Sequence, residues 1–256
     1  MPINRDVWSR LASKGKLPGY PCPRCSNGKM KAIKDAFSLR EPKHVSDWRA
    51  VNPEDWEWDH VTERWSATMK CDEVACGEIV NLIGDVTVVE SPYTDDQGGS
   101  HWGYENVLRI QAIFPASPLF RVSDAVPRKV AAQLEIAFRM FWTDVSACVA
   151  RLRTAVERLL DDQGVPREKK NKKGKFVRMD LYDRIDSFAA GAGAAHSGQL
   201  QSLRHIGNLG THGGDDVDDG DLFDAIDVLE FVLTGIYDTK TIDAKANRLK
   251  NKKAKP

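Results

Sequence analysis

Residues 126–160 read VPRKVAAQLEIAFRMFWTDVSACVARLRTAVERLL, and no other stretch of the chain has so regular an apolar pattern. Apolar side chains recur there at intervals of three and four residues, which is typical of one face of an amphipathic helix. These side chains are Val126, Val130, Leu134, Phe138, Phe141, Val145, Val149, Leu152, Val156 and Leu159. Pro127 suits a first helical turn, and Gly164 and Pro166 lie beyond the end. The stretch predicts one continuous helix of about 30 residues, roughly 45–50 Å long at 1.5 Å per residue.

Shorter helical patterns follow toward the C-terminus. Apolar spacing predicts short helices near residues 181–188 and 200–212 and a final helix near residues 222–236. An acidic run at residues 215–227 opens the final helix, where carboxylates in a first turn complement the helix dipole. A metal site made by these acids is the alternative interpretation.

Two segments of the C-terminal half are strongly basic. Residues 167–178 contain seven basic residues and one acid around Gly174, which predicts a mobile basic loop. Residues 240–256 also contain seven basic residues and one acid, which predicts a frayed tail. Any attraction to polyanions is therefore local to such segments.

Four of the five cysteines form two closely spaced pairs. Cys22 and Cys25 are spaced Cys-x2-Cys, and Cys71 and Cys76 are spaced Cys-x4-Cys. Four thiolates are typical tetrahedral ligands of structural zinc, so the two pairs predict a zinc ribbon with one structural zinc ion. The 45 residues between Cys25 and Cys71 exceed the roughly 15–20 of a compact zinc site, so the ribbon has to accommodate an insert.

The insert, residues 30–70, is rich in tryptophans and acids. The alternation Trp56-Glu57-Trp58-Asp59 predicts a half-buried strand. Tryptophans can stack on bases, but interleaved carboxylates repel phosphate, so packing over the ribbon is the favoured interpretation. Beyond the insert, residues 79–89 and 107–114 predict further strands, and residues 91–100 predict a loop.

The composition is that of a globular protein. The 256-residue chain is 41% apolar and 29% charged, which excludes disordered and fibrous classes. Its 37 basic residues balance 37 acidic ones, so binding to nucleic acid or membrane has to come from local patches. Signal-peptide and membrane-spanning patterns are absent from the sequence, which predicts a cytoplasmic protein with no membrane association. The fifth cysteine, Cys148, falls in the apolar helical stripe and is interpreted as a buried small hydrophobe.

Polar residues recur at helical spacing near the third predicted helix. Arg204, Asn208 and His212 are spaced i, i+4, i+8 and share one side of a helix if it persists through Gly207 and Gly210. An arginine that holds charge and a histidine that transfers a proton form a plausible phosphate site. In the structural alternative, Arg204 pairs with the acidic run, Asn208 caps a turn and His212 caps a helix end. The spacing alone leaves both interpretations open.

This layout resembles the domain of unknown function DUF4145, which is grouped with the HEPN superfamily of α-helical domains. The resemblance covers roughly residues 114–238 and rests mainly on the signature Arg204-x-x-Gly207-Asn208-x-x-x-His212. Its other markers are Pro115, Pro127, Arg153, Glu157 and Tyr237. Members of that family often carry an N-terminal cysteine-pair ribbon, which the four paired cysteines match.

The resemblance implies a helical bundle that pairs about a two-fold axis and brings an arginine and a histidine from each protomer into a shared cleft. In HEPN ribonucleases such a cleft cuts RNA without metal, by attack of the neighbouring 2′-hydroxyl. Arg204 takes the arginine role, stabilising charge on the transition state, and His212 takes the histidine role in proton transfer. The candidate catalytic residues are thus Arg204, His205, Asn208 and His212. The seven residues between Arg204 and His212 make this spacing longer than the usual catalytic motif.

The sequence therefore predicts an α+β protein with three parts. Residues 1–114 form a zinc-ribbon β domain with a Trp-rich insert, residues 115–240 a HEPN-like helical domain, and residues 241–256 a basic tail. Because the long apolar stripe exceeds what the shorter helices cover, a homodimer is expected.

Two classes of function are consistent with these parts. One is a metal-independent endoribonuclease of a bacterial defence or toxin system. The other is a non-catalytic module of such a system that binds RNA, another nucleic acid or a protein partner. A DNA-binding regulator that acts through the ribbon is a third interpretation, which the acidic insert disfavours.

Overall fold

The structure, a computed structural model, describes residues 3–25, 27–57, 60–191, 193–212 and 217–252. The chain divides into two compact units. Residues 4–118 form the sheet unit, and the chain from Leu119 onward, together with Ile3, forms the helical unit. The protein is thus α+β, with an antiparallel sheet followed by a helical region, as the sequence predicts. None of the described helices combines the length and the apolar character that crossing a lipid bilayer requires.

Five antiparallel strands form the sheet unit. They are β1 (Leu11–Ala12), β2 (Met30–Arg40), β3 (Arg64–Cys71), β4 (Ile79–Thr94) and β5 (Ser100–Phe114). Their spatial order is β1-β5-β4-β3-β2. Buried and exposed residues alternate along β3, as expected for a sheet with one covered face. The core of this unit includes the fully buried Met69, Leu82 and Leu108.

The β4–β5 hairpin is longer than the sequence predicts. Residues 91–94, predicted as part of a loop, continue β4, with Tyr93 opposite His101. Asp95 closes the turn, because its carboxylate accepts the backbone N–H groups of Gln97 at 3.0 Å and Gly99 at 2.7 Å. Residues 91–94 lack the alternation of a strand, so cross-strand pairing, which is non-local, decides their structure.

The tryptophan-rich insert contains a helix, and the predicted strand at residues 56–59 is wrong in its described part. The helix α1 spans Lys43–Val51, and Trp56 lies outside any strand. Residues 58 and 59 lie outside the described residues. The rings of Trp48, Trp56 and His60 contact one another, with centroids 5.1 to 6.0 Å apart. Trp56 therefore packs against aromatic neighbours instead of forming part of the predicted strand.

Six helices form most of the helical unit. They are α2 (Arg128–Met140), α3 (Val145–Asp162), α4 (Leu181–Ala189), α5 (Ser197–His212), α6 (Asp219–Leu233) and α7 (Thr239–Lys250). A π-helical segment, Thr234–Asp238, joins α6 to α7. The helix α3 lies at the centre, because it packs against α2, α4, α5 and α6. Its Cys148 is fully buried, as expected.

The predicted long helix is in fact two helices. The break falls between Met140 and Val145, where Asp144 caps α3 by accepting the backbone N–H of Ala147 at 2.8 Å. The apolar stripe stays in phase across the break, so periodicity could not reveal the turn. Because α2 and α3 pack against each other, each covers the apolar face of its neighbour. The argument for a homodimer from one long uncovered stripe therefore fails.

Three further segments refine the sequence-based expectations. The basic segment predicted as a mobile loop forms a hairpin of β6 (Glu168–Lys170) and β7 (Phe176–Arg178). Of the segment predicted as a frayed tail, residues 240–250 are helical in α7, and residues 253–256 lie outside the described residues. The buried Tyr237 ties the π-helical segment to α3, since its hydroxyl donates to Asp162 at 2.9 Å.

Asp161, near the end of α3, binds three arginines. Its carboxylate accepts hydrogen bonds from Arg167 at 2.9 Å, Arg158 at 3.1 Å and Arg184 at 2.8 Å. Arg184 is only 5% exposed, so Asp161 balances a buried charge. The hydrogen bonds from Arg167, Arg158 and Arg184 hold the pKa of Asp161 well below its usual range, although burial opposes this effect.

We expect Asp161→Asn to lower the free energy of unfolding by about 3–5 kcal/mol at neutral pH, because the substitution leaves the buried Arg184 charge uncompensated. The lowered pKa also fixes the direction of the pH dependence. The contribution of Asp161 is complete above its unfolded pKa of about 4 and is lost as the pH falls below that value. Urea unfolding of both proteins across this pH range measures the effect.

The matched control is Asp186→Asn in α4. Asp186 is exposed and forms no ion pair within the described ranges, so its loss is expected to change stability little. Equal destabilisation by the two substitutions at neutral pH would contradict the role of Asp161.

Candidate functional site

The four paired cysteines come together in the sheet unit. Their sulfur atoms all lie within 4.8 Å of one another. The Sγ atoms of Cys22 and Cys76 are 3.7 Å apart, as are those of Cys25 and Cys71, and none of the four forms a disulfide. Four thiolates around a tetrahedral ion with bonds of ~2.3 Å lie about 3.8 Å apart, so the cluster fits a metal such as zinc.

Strand register explains how the long insert is accommodated. Met30, at the start of β2, pairs with Cys71 at the end of β3. The chain therefore leaves the first cysteine pair along β2 and returns along β3 to the second pair. The intervening residues form an excursion that leaves the two pairs side by side, so the sequence separation does not limit the site.

Backbone N–H groups and burial act differently on the thiols. The backbone N–H groups of Gly28 and Asn27 lower the pKa of Cys25 to about 7, and the Gly28 N–H lies 3.4 Å from the Cys25 sulfur. Burial raises the pKa of Cys71 to about 12. Four adjacent thiolates repel one another, so a bound cation is needed to keep all four deprotonated at neutral pH.

Gly28 leaves space for the sulfur cluster. A Cβ atom at this position would lie 2.4 Å from the Cys71 Sγ atom. Any side chain there would displace the Cys71 sulfur from the cluster, which explains the glycine three residues after the Cys22/Cys25 pair. The sequence analysis did not identify this requirement.

The second candidate site lies on α5 in the helical unit. This helix continues through both glycines, so Arg204 and Asn208 lie on one side of it, as the spacing predicts. Arg204 donates from Nε to Gln201 at 2.8 Å, and its guanidinium lies 5.4 Å from the centre of the Tyr182 ring. Of the acidic run, only the part from Val217 onward is described, and Arg204 does not pair with it.

Asn208 and Gly207 together hold an arginine from α3. The Arg153 Nη1 atom donates to the Asn208 Oδ1 atom at 2.6 Å and to the backbone carbonyl of Arg204 at 3.2 Å. A Cβ atom at Gly207 would lie 2.6 Å from the Arg153 Cβ atom, so the glycine permits this close approach. The Gly-Asn part of the signature therefore positions Arg153 against α5.

The two candidate histidines differ in what can be said of them. His205 is exposed on α5, next to Arg204. His212 is the last residue of α5, and its side chain lies outside the described residues. Along the helix, residues 204 and 212 are separated by about 12 Å, at 1.5 Å per residue.

Arg153 also lines a cleft of about 290 Å³ in the helical unit. Four arginines surround this cleft, and two carboxylates accompany them. The charged lining residues are Arg153, Arg167, Arg178, Arg184, Glu157 and Asp180. Sequence analysis missed the cleft, because its members come from four separate segments. The signals available were the excess of basic residues at 167–178 and the appearance of Arg153 among the family markers.

We expect Gly28→Ala to reduce the metal bound per chain to well below one equivalent, because the new methyl group would contact the Cys71 sulfur. Gly19→Ala is the control, since a Cβ atom there meets its nearest neighbour at an ordinary 3.7 Å. Elemental analysis of both purified variants measures the ratio of metal to protein. Full metal content in Gly28→Ala would show that the four thiols do not share one ion.

Two family models cover most of the chain. Residues 10–111 match the domain of unknown function DUF8608, and residues 135–252 match the domain of unknown function DUF4145. The second match includes α5 and its signature, so the resemblance to DUF4145 is confirmed. No curated protein matches the chain, and no solved structure does. The sheet unit is thus similar to DUF8608 and the helical unit to DUF4145, each over the matched residues.

Proposed function

We propose that the helical unit is a HEPN-like module that binds RNA by its phosphates. One observation carries this proposal: Arg153 both lines the arginine cleft and donates to Asn208 and Arg204 of α5. The family signature and the cleft therefore meet at one side chain. Arginine binds phosphate oxygens through two parallel N–H groups, which makes it the residue best suited to this contact.

The charges around Arg153 favour an anionic ligand. The Arg153 Nε atom lies 3.8 Å from the Glu157 Oε1 atom. This separation is longer than the hydrogen bonds that the Asp161 carboxylate accepts from its arginines. Arg204 is steadied by a neutral amide and an aromatic ring, so its positive charge is not cancelled by these contacts. The lysines of the β6–β7 hairpin add exposed positive charge in the same unit. Such a surface attracts a polyanion at short range.

Metal-independent RNA cleavage is the second candidate function, and the course of α5 favours it. Because the helix is unbroken, Arg204, His205, Asn208 and His212 fall within an arc of about 100°. In the proposed step, the 2′-hydroxyl attacks the adjacent phosphorus and the bond to the 5′-oxygen breaks. Histidine accepts the proton of the 2′-hydroxyl, and a protonated histidine or water donates a proton to the leaving 5′-oxygen, while Arg204 stabilises the added negative charge.

The role of His212 in cleavage is proposed for two paired chains. His205 directly follows Arg204, but residue 212 lies about 12 Å from residue 204 along one helix. Pairing about a two-fold axis, which the HEPN resemblance implies, supplies the histidine from a second α5. We therefore propose a homodimer that forms by this pairing of α5 helices.

We further propose that the metal of the sheet unit is zinc and that its role is structural. All four donors are thiolates, which is typical of closed structural zinc sites. Such a site leaves no position for substrate, so RNA binding and any cleavage are assigned to the helical unit. Elemental analysis that returned another metal, or none, would refute the zinc assignment.

For the RNA proposal, we expect the full chain to bind a single-stranded RNA with a 5′-hydroxyl end, and Arg204→Gln to weaken binding by about tenfold. Affinity for a polyanion falls as salt rises, and the loss of one phosphate contact is expected to reduce the slope of log affinity against log salt concentration by about one. Arg139→Gln, an exposed position on α2, is the control for the loss of one charge. Fluorescence anisotropy in EDTA measures binding, and gel electrophoresis of the same samples measures cleavage.

The histidine variants separate the two candidate functions. If the protein cuts RNA, His205→Gln or His212→Gln abolishes cleavage while binding remains. If it only binds, no cleavage occurs in any sample. Equal RNA affinity of Arg204→Gln and Arg139→Gln, with both variants folded, would refute the assigned surface.

For assembly, we expect light scattering to give twice the chain mass of 28.6 kDa at micromolar concentration. Light scattering and the RNA cleavage assay are carried out on the unsubstituted protein at the same concentration. A monomer at this concentration would contradict the proposed homodimer, and a monomer that also cuts RNA would overturn the two-chain cleft.

A further inference from the structure

The arginine cleft of the helical unit has features that binding to internal RNA phosphates does not explain. Its four arginines come from α3, from the segment before β6, from β7 and from α4. They converge on about 290 Å³, which is at the small end of ligand pockets, commonly ~300–1,000 Å³. A groove for an extended strand is long and open, whereas this cleft suits one compact group.

The positive charges of the cleft exceed their carboxylate partners. Arg167 and Arg184 share the single carboxylate of Asp161 with Arg158. Arg178 is exposed and forms no ion pair in the described part of the chain. The five arginines in and behind the cleft therefore face three carboxylates, those of Glu157, Asp161 and Asp180, which leaves a formal surplus of two positive charges.

Arg184 places a buried guanidinium group beside the cleft. Its side chain lines the cleft although the residue is only 5% exposed. Its Nη2 atom donates to Asp161 and to the Val165 carbonyl, but its buried Nε–H has no acceptor among the described residues. Buried guanidinium N–H groups are nearly always hydrogen-bonded, so Arg184 keeps unused hydrogen-bonding capacity beside the cleft.

We infer that this cleft binds the terminal phosphate of a nucleotide, a phosphomonoester. An internal phosphodiester carries one negative charge, whereas a terminal phosphate carries about −1.5 to −2 near neutral pH. That charge matches the surplus in the cleft, and three free oxygens can accept from several guanidinium groups at once. The inference deepens and rests on the proposed phosphate-binding function, because it names the kind of phosphate that this site recognises.

The neighbouring aromatic residue favours a nucleotide over inorganic phosphate. Tyr182 directly follows the lining residue Leu181 and is 52% exposed. Its ring lies beside the Arg204 guanidinium. A base attached to the bound phosphate can stack on such a ring or guanidinium, which inorganic phosphate cannot do. The phosphate can belong to a free mononucleotide or to the end of an RNA strand.

Calorimetric titration of the full chain with adenosine monophosphate, adenosine and inorganic phosphate tests this inference. We expect adenosine monophosphate to bind at least about tenfold more tightly than adenosine, and Arg178→Gln to remove about tenfold of that affinity. Arg178 has no ion pair to lose, so the variant is expected to fold normally. Lys129→Gln removes one positive charge from an exposed position on α2, outside the cleft lining, and should leave the affinity unchanged.

Two RNA strands that differ only in a 5′-phosphate identify the source of the phosphate. If the phosphorylated strand binds more tightly than the 5′-hydroxyl strand, and Arg178→Gln removes this difference, the bound phosphate is the end of an RNA strand. If adenosine monophosphate binds but the two strands bind equally, the bound phosphate belongs to a free nucleotide. Equal affinities for adenosine and its monophosphate, together with equal affinities for both strands, would overturn the inference. If the 5′-hydroxyl strand fails to bind while the monophosphate binds, the RNA proposal fails and the phosphate site stands.

Discussion

The carboxylate of Asp161 is the contact on which the basic end of the helical unit depends. Arginines repel one another when they are crowded, and burying Arg184 adds a desolvation cost. One carboxylate that accepts from Arg158, Arg167 and Arg184 offsets both effects. Because these donors come from α3, the following loop and α4, the same contact also fixes how those segments meet. Stability and positive charge therefore have a common origin here.

The signature residues Gly207 and Asn208 on α5 have a structural role that the sequence pattern alone does not show. Gly207 lets the α3 backbone approach, and Asn208 binds the arginine that this approach brings in. Both residues act on Arg153, which lies 55 positions from Asn208 in the chain. The structural and functional interpretations of the signature are thus not exclusive. Residues that pack α3 against α5 also determine where a guanidinium group is held.

Sequence reasoning succeeded where the determining chemistry is local. Cysteine spacing located the four-cysteine cluster, because two short loops suffice to present four thiols, and helical spacing placed Arg204 and Asn208 on one face. Sequence reasoning failed where contacts between residues distant in the chain determine the structure. Phe141 and Val145 stay in phase across a turn that only tertiary packing reveals. The cleft was missed for the same reason, since its arginines are brought together by contacts between distant segments.

The neutrality of the whole chain constrains how its basic surface can work. With 37 basic and 37 acidic residues, long-range attraction of a polyanion is weak, so recognition depends on contacts within a few ångströms. At that range the orientation of each guanidinium matters as much as its charge. Gln201, Asn208 and Asp161 supply that orientation for Arg204, Arg153 and Arg184 respectively. These uncharged or acidic residues are therefore as much a part of the proposed phosphate-binding site as the arginines they hold.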